Sequence, residues 1–491
     1  MSEFPVATDT TRLARHGALY TVGVVAQGIA TLVVIPFVTR LLGPAEYGHV
    51  AVGLSIIQIG AVFAVAGLPV AITRAYFDPG DGPLRARAML GFVVGMGLVV
   101  TAAALLLQPV LGDVVSLSVA AVGAMTLVVS GQAVLRAQGR PFVFMITAIG
   151  STAGAHLVGL GAASLHRTAS AYLAGYLVGA GLTAVLAMAI TPPVLPWRVH
   201  AAMREGITIA LPVLPHTAAI LIINAADPLI ISRLLGESQA GRYQVAMMLG
   251  IAPLAVLSGI NNAWSPAIMG APEEDRWSFL ARTTRPIMWV ATVCTLGLAL
   301  LAPLAVHVLA PASFGYDAMT QLVQVIALCA PLQVIYLGAA SVIFNQKRTT
   351  PLAFSTPLAA AVFVGLSIPL VHILGLLGMS VAKVVGFAAL SLATVVAAGR
   401  VADVPWKASR WVPIIGTALV AVVALQFVPS SAEAIWLQAG AAVVLGLAFL
   451  GTVARLGLPR GAPAGPDRRQ ARSSAPISWR PASVIDPDSE G

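Results

Sequence analysis

Charged side chains are scarce in this sequence of 491 residues. They make up 10% of the chain, whereas 58% of the residues are hydrophobic and the mean hydropathy is +0.90. Water-soluble globular domains carry roughly 25% charged residues. The composition therefore excludes a soluble globular protein and predicts a protein that is embedded in a membrane.

Cysteine is almost absent. The two cysteines, Cys294 and Cys329, both lie inside apolar runs. Such an arrangement provides neither a disulfide framework nor the spacing of metal ligands. We therefore predict no metal site and no cofactor, and we expect membrane packing to hold the chain together.

Sequence motifs of catalysis are also missing. The chain contains no phosphate-binding Gly-x-x-x-x-Gly-Lys-Ser/Thr loop, no His-Glu-x-x-His and no Gly-x-Ser-x-Gly. Asp486-Pro487-Asp488 resembles the paired acids of metal-dependent glycosyltransferases, but it lies in the polar tail 459–491, which is predicted to be disordered. These absences predict that the protein is not an enzyme.

Long apolar runs dominate what is present. A transmembrane helix needs about 20 consecutive apolar residues. The sequence has 14 such runs, at about 17–38, 48–72, 88–110, 115–135, 142–165, 169–190, 209–231, 243–264, 287–309, 321–343, 352–372, 376–398, 412–428 and 434–454. We therefore predict an all-α polytopic membrane protein with about 14 transmembrane helices and short loops.

The basic residues follow an asymmetric pattern. With the N-terminus inside, 23 of the 28 Lys and Arg residues fall in cytoplasmic segments or the tail. Short loops rich in Lys and Arg stay in the cytoplasm. This pattern predicts an inner (plasma) membrane protein with both termini cytoplasmic. It also explains the basic pI without a nucleic-acid partner.

A segment of the first half recurs in the second half. Thr-Arg-Leu-Leu-Gly at 39–43, running on to Gly48, reappears 193 positions later as Ser-Arg-Leu-Leu-Gly at 232–236, running on to Gly241. A proline precedes each copy, at Pro36 and Pro228. Because the first and seventh runs are then equivalent, the first is expected to be retained rather than cleaved as a signal peptide.

The repeat suggests two halves with the same orientation. A second echo joins Gln-Gly-Arg at 138–140 to Gln-Lys-Arg at 346–348. Parallel repeats of this kind usually enclose a transport pathway near their pseudo-two-fold axis. We predict an N-terminal lobe at 1–200 (spans 1–6), a C-terminal lobe at 201–400 (spans 7–12), extra spans 13 and 14 at 401–458, and the tail at 459–491, with a central cavity between two parallel six-helix lobes.

Several of these segments resemble a known family. Residues 17–20 (GALY), 36–48 (PFVTRLLGPAEYG), 67–69 (GLP) and 74–76 (RAY) are similar to the opening of the polysaccharide-transport proteins. These are the oligosaccharide flippases of the multidrug/oligosaccharidyl-lipid/polysaccharide exporter superfamily. The resemblance covers spans 1–12. It implies a V of two six-helix lobes and a cavity that passes a polyprenyl-pyrophosphate-linked sugar from one face to the other.

One departure from the family pattern concerns span seven. Where the family often has Asp-Arg, this chain has Asp227-Pro228. The resemblance therefore implies that a basic group is missing there and that the outer gate is built differently.

Ionisable residues inside the spans are the first site candidates, because a charge in a bilayer needs a partner or a wet cavity. Asp227 and Lys383 either neutralise one another as a structural pair, or Asp227 couples transport to a proton or cation and Lys383 meets an anionic head group. Arg74, at the cytoplasmic end of span two, has the fork of donors that binds phosphate. The alternative for Arg74 is an ordinary positive-inside anchor.

Uncharged polar residues are the second group of candidates, since they could bond sugar hydroxyls or link helices. They are Gln27, Gln58, Asn224, Asn261, Asn262 and Trp264, together with the histidines His156, His216 and His307. Pro212, Pro215 and Pro228 should break span seven, as expected of a cavity-lining helix.

The sequence thus predicts a flippase or exporter that moves polyprenyl-pyrophosphate-linked oligosaccharide repeat units by alternating access. Such repeat units serve polysaccharides of the cell envelope, such as lipopolysaccharide or exopolysaccharide. The expected partners are the lipid-linked glycan, membrane lipids, a polysaccharide polymerase and glycosyltransferases. The alternatives are a flippase of the peptidoglycan lipid precursor, a drug exporter of the same superfamily, or a membrane-embedded polysaccharide polymerase or ligase.

Overall fold

A computed structural model describes residues 6–195, 204, 208, 211, 214–346, 350–428 and 431–456. For residues 6–31 and 453–456 it describes the backbone only. The side chain of Gln27, Pro212, Lys347, Arg348 and the tail 459–491 therefore lie outside the described residues.

The first half of the described chain is helical throughout, apart from short turns. Its helices are α1 Val6–Val65, α2 Leu68–Tyr76, α3 Gly82–Leu106, α4 Gln108–Leu111, α5 Asp113–Ala137, α6 Pro141–Ile149, α7 Ala155–His166 and α8 Ala169–Ile190. A π-helical turn, Gly150–Gly154, joins α6 to α7. Together these two helices and the turn cover the predicted fifth span.

The second half is built in the same way. Its helices are α9 Leu214–Ala225, α10 Asp227–Leu235, α11 Glu237–Gly250, α12 Ala252–Gly270, α13 Arg276–Leu309, α14 Tyr316–Ala327, α15 Cys329–Asn345, α16 Thr350–Leu374, α17 Leu376–Gly399, α18 Val412–Leu425 and α19 Ala432–Leu456.

Within the described part of the chain, 11 helices are long and apolar enough to cross a membrane, or 12 if the bent pair α9–α10 is counted as one span. This confirms the predicted all-α polytopic membrane fold. Two features account for the difference between this number and the predicted count of 14. That count stays a prediction. Helix α1 joins the first two apolar runs, and α18 has only 14 residues, about 21 Å, against a hydrocarbon core of about 30 Å.

Helices dominate because a bilayer offers no water to satisfy backbone N–H and C=O groups. Where the helices break, glycine adopts conformations that other residues rarely reach. Gly43 interrupts α1 with φ 72° and ψ 178°, and Gly236 separates α10 from α11 with φ 89° and ψ 168°. These two glycines are 193 positions apart, so the repeat in the sequence is also a repeat of backbone geometry.

The second predicted span differs in detail from the helices that form. Helix α1 ends at Val65, and Ala66 and Gly67 take positive φ angles of 45° and 75°. The short helix α2 then begins with Pro69 near its start and ends at Tyr76. The apolar run at 48–72 is thus divided between two helices, because the left-handed pair turns the chain.

The described residues up to position 443 form one compact unit, and those from position 444 onward form a second. The largest buried cluster of the first unit draws on both predicted lobes, with Tyr47 and Tyr172 from the first and Tyr243, Phe314 and Phe387 from the second. The described part of the second unit consists of the last turns of α19. The predicted lobe boundaries stay predictions.

Candidate functional site

A buried ion pair joins two helices of the second half. The Nζ atom of Lys383 on α17 donates to Oδ2 of Asp227 on α10 at 2.5 Å. Both side chains are fully buried. Burying one charge alone would be costly, so each charge makes the burial of the other tolerable.

A break between α9 and α10 creates the place that this pair occupies. The two helices meet at Ala226 with a bend of 49°, and Pro228 follows in the first turn of α10. Asp227 opens α10, where the helix dipole favours a negative charge. The same Lys383 ammonium also donates to the carbonyl oxygen of Ile223, at 2.9 Å, and lies 3.5 Å from that of Asn224, where the end of α9 favours a positive charge.

Other polar groups surround the pair, from two further helices and from α17 itself. Tyr243 on α11, Cys329 on α15 and Ser380 on α17 interact electrostatically with it or with each other. The second carboxylate oxygen of Asp227, Oδ1, is buried without a hydrogen-bond partner among the described residues. Lys383 Nζ also lies 5.7 Å from the ring centroid of Phe363, within the range of a cation–π interaction.

Lys383 supplies the positive charge that span seven itself lacks beside Asp227. The family resemblance implied that a basic group was missing beside Asp227, because Pro228 follows the aspartate. The structure supplies a positive charge at that point from α17 instead. The sequence could nominate both charges, but it could not show that residues 156 positions apart meet.

The two copies of the repeat contact each other directly. A Cβ atom added to Gly48 would overlap the carbonyl oxygen of Glu237, and one added to Gly241 would overlap that of Pro44. Glu237 and Gly241 are the positions 193 residues after Pro44 and Gly48. The contact is therefore symmetric, as at a two-fold interface. We call these two segments, Pro44–Gly48 and Glu237–Gly241, the repeat contact.

Polar side chains next to the repeat contact bind neighbouring helix ends. Thr39 donates through Oγ1 to the carbonyl oxygen of Leu309 at 2.8 Å, and Arg40 donates to that of Val308 at 2.9 Å. These carbonyls end α13, where cationic groups are favoured. His49 Nδ1 lies 3.8 Å from a carboxylate oxygen of Glu237.

The first half has an uncharged pair beside the position that corresponds to Asp227. His156 Nδ1 and the Tyr172 hydroxyl are 2.6 Å apart and buried. They line a small cavity with Val34, Ile35, Val38, Tyr47, Leu54 and Met248. Val34 is the position 193 residues before Asp227, so an apolar side chain takes the place of the carboxylate in this copy.

The remaining histidine and tryptophan candidates link helices or bond locally. His216 Nδ1 is 2.8 Å from the Thr356 hydroxyl, which joins α9 to α16. Trp264 Nε1 donates to the Thr283 hydroxyl at 2.8 Å, which joins α12 to α13. His307 Nδ1 lies 2.6 Å from the Pro303 carbonyl oxygen, one turn back on its own helix.

The amide candidates are distributed differently. Gln58 and Asn262 are exposed at the surface of the chain. Asn224 donates to the carbonyl oxygen of Ile220 at 2.8 Å, and Asn261 has a buried Oδ1 without a described partner. The structure does not gather these side chains into one group with the ion pair, so their role in binding a sugar stays a prediction.

Arg74 lies in the last turn of α2 and its side chain is exposed. Among the described residues its guanidinium makes no hydrogen bond or ion pair. Arg85, nearby in the chain on α3, differs because it lies 3.7 Å from the carboxylate of Asp78. Arg74 is thus available to an anionic ligand at this end of α2.

Sequence reasoning missed several residues of the site. Tyr243 and Ser380 beside the ion pair, and His49 and Glu237 at the repeat contact, carry no motif of their own. Glu237 and Gly241 could have been found from the repeat, because they align with Pro44 and Gly48. Tyr243 and Ser380 could not have been found from the sequence, because only packing brings α11 and α17 together.

The family described as "Polysaccharide biosynthesis protein" matches residues 37–310, more than half of the chain. This chain belongs to that family. No curated protein matches it in overall sequence.

Solved structures of membrane transporters have a similar fold. The lipid II flippase MurJ in an inward closed conformation matches with a TM-score of 0.69 at 12% identity, covering 89% of this chain and 98% of MurJ. An inward-facing multidrug resistance MATE family transporter matches with a TM-score of 0.58 at 15% identity, covering 78% and 94%. The MATE transporter VcmN of Vibrio cholerae matches with a TM-score of 0.53 at 13% identity, covering 79% and 96%. At these identities the likeness concerns the fold.

Proposed function

We propose that this protein is a flippase that moves polyprenyl-pyrophosphate-linked oligosaccharide across the inner membrane by alternating access. Membership of a polysaccharide biosynthesis family is the observation that carries the proposal. The fold shared with a lipid II flippase and with MATE transporters supports a transport role. The lipid-linked glycan is then the substrate, and a polymerase and glycosyltransferases of the same pathway are the expected partners.

Arg74 is the residue best suited to meet the pyrophosphate. In the proposed orientation, with both termini in the cytoplasm, it lies at the inner interface, where a lipid-carried pyrophosphate enters. Its exposed guanidinium has no described partner, and guanidinium binds phosphate oxygens through two parallel donors. Gln58 is likewise exposed and available to sugar hydroxyls.

We propose that Asp227 couples transport to an energy source only together with Lys383. The two charges neutralise one another in this conformation. If the second half rearranges during transport, the free energy of making and breaking this pair enters the cycle. The head group of a lipid-linked sugar would compete with Asp227 for the lysine.

A flippase for the peptidoglycan lipid precursor is the second candidate, favoured by the likeness to MurJ over 89% of the chain. Export of cationic drugs is less well supported. Asp227 is the only buried carboxylate in the described part of the chain, and Lys383 neutralises it. A polymerase or ligase has the weakest support, since the loops between the predicted spans are short.

The substrate is tested in cells that lack the protein. We expect lipid-linked oligosaccharide to accumulate on the inner leaflet of the deletion strain and to fall when the wild-type gene is returned. Accumulation of the peptidoglycan precursor instead would identify the second candidate. No change in either lipid would contradict both.

Arg74 is tested in the same assay at matched protein levels. Arg74→Lys keeps the charge but loses the fork, so we expect impaired transport, with Arg74→Ala more strongly impaired. Arg85→Ala is the matched control, because Arg85 is a nearby arginine that pairs with Asp78. Equal transport by all these variants would remove Arg74 from the mechanism.

A further inference from the structure

We propose that Lys383 is a tethered substitute for an inorganic cation, held in a site whose oxygen ligands suit a monovalent metal ion. Shortening this side chain should then convert the wild-type protein, which needs no metal ion here, into one that binds such an ion at Asp227. The site lies within the second half of the chain and does not depend on which solute the protein carries.

The Lys383 ammonium is surrounded by oxygen atoms. One carboxylate oxygen, at 2.5 Å, and two backbone carbonyl oxygens, at 2.9 and 3.5 Å, surround Lys383 Nζ. Hard cations prefer such oxygen ligands. Unwound helix ends inside membranes commonly present carbonyl oxygens to Na⁺. The ammonium therefore occupies a shell that a small cation could also occupy.

The break in the helix explains why a cation is needed at all. Ile223 and Asn224 lie in the last turn of α9, and the bend at Ala226 removes part of the backbone ladder beyond them. Carbonyl groups freed at membrane depth need a donor or a cation. Lys383 provides both, together with the counter-charge for Asp227.

Charge balance excludes an inorganic cation while Lys383 is present. The buried carboxylate and ammonium sum to zero, and both side chains have no exposed surface. A second positive charge in this enclosed place would have no counter-ion. Once the ammonium is removed, the Asp227 carboxylate keeps Tyr243 as a polar neighbour but has no positive charge beside it among the described residues.

Two replacements of Lys383 separate this idea from an ordinary structural ion pair. Lys383→Ala removes the charge and opens a space beside Asp227. Lys383→Met also removes the charge but fills most of the space with an apolar chain. A structural pair predicts that both variants are destabilised in every salt. A cation-type site predicts that only the alanine variant is rescued, and only by a cation small enough to enter.

The experiment measures thermal unfolding of the full purified chain in detergent. Wild type, Lys383→Ala, Lys383→Met and the double variant Asp227→Asn with Lys383→Ala are compared in NaCl, LiCl, KCl and choline chloride at equal ionic strength. We expect the melting temperature of Lys383→Ala to rise by several degrees, in a saturable way, with one of the metal ions over choline. The other three proteins should show no such selectivity.

An unchanged melting temperature of Lys383→Ala across the four salts would overturn the proposal, as would a metal-selective response of the wild type. If Lys383→Ala unfolds during purification in choline chloride, the recovered monodisperse fraction is compared after extraction in each salt. Recovery with a metal ion supports the proposal, and equal loss in all four salts overturns it. No glycan substrate enters this measurement, so its failure leaves the proposed function standing.

Discussion

The two copies of the repeat share a backbone conformation, but the two halves of the chain that contain them differ in their buried polar side chains. Gly43 and Gly236 turn the chain in the same way, and Gly48 and Gly241 each lie against the backbone of the other copy. Elsewhere the first half has the uncharged pair His156 and Tyr172, whereas the second half has a buried ion pair.

The difference follows from where each helix breaks. In the first copy α1 stays helical through Val34 and Pro36 and is interrupted only at Gly43. In the second copy the chain also breaks at Ala226, ten positions before Gly236. An extra break exposes extra backbone groups within the membrane, and charged side chains satisfy them. At the contact between copies both sides keep a glycine, Gly48 and Gly241, because each lies against the backbone of the other copy.

The largest expected effect comes from removing one charge of the second copy. Asp227→Asn or Lys383→Met should each destabilise the protein by about 3 to 5 kcal/mol, because the partner's charge remains buried and unpaired. The double variant that combines Asp227→Asn with Lys383→Met should recover much of this loss of stability. The measurement is the fraction of folded protein after extraction and heating. Additive losses in the double variant would contradict direct pairing.

A smaller and symmetric effect is expected at the repeat contact. Gly48→Ala and Gly241→Ala should each cost about 1 to 3 kcal/mol in this conformation, because the added Cβ meets backbone that cannot move aside. The two segments should separate, which spin labels at Ala45 and Ser238 would report as a longer distance.

Gly95→Ala is the control for this pair, since nothing lies within 4 Å of an added Cβ there. Both contact variants should move the label distance in the same direction. A response to only one of them would mean that the two sides of the contact are not equivalent.

The smallest effect is expected in the first copy. Tyr172→Phe removes the hydroxyl that meets His156, and hydrogen bonds between membrane helices contribute about 0.6 to 1.7 kcal/mol. A double-mutant cycle with His156→Phe should return a coupling energy in this range. A coupling energy between His156 and Tyr172 as large as that between Asp227 and Lys383 would contradict the proposed difference between the two halves.

Much of the fold was predictable because hydrophobicity and backbone geometry are local. Apolar runs of about 20 residues give membrane helices whatever their neighbours are, and the glycines at 43 and 236 mark their turns in the sequence itself. The division of span two at Ala66 was not predictable, because a left-handed alanine is a conformation that only its surroundings can enforce.

The sequence by itself also determined which side chains could not stay unpaired. Asp227 and Lys383 are charges in apolar runs, and the cost of burying a charge requires a partner for each. Only the tertiary structure decided that they are partners of one another, since α10 and α17 meet through packing across 156 positions. It also decided that Tyr243 and Ser380 lie beside them and that the two repeats touch. Contacts between distant helices depend on how whole surfaces fit, and no short stretch of sequence encodes that fit.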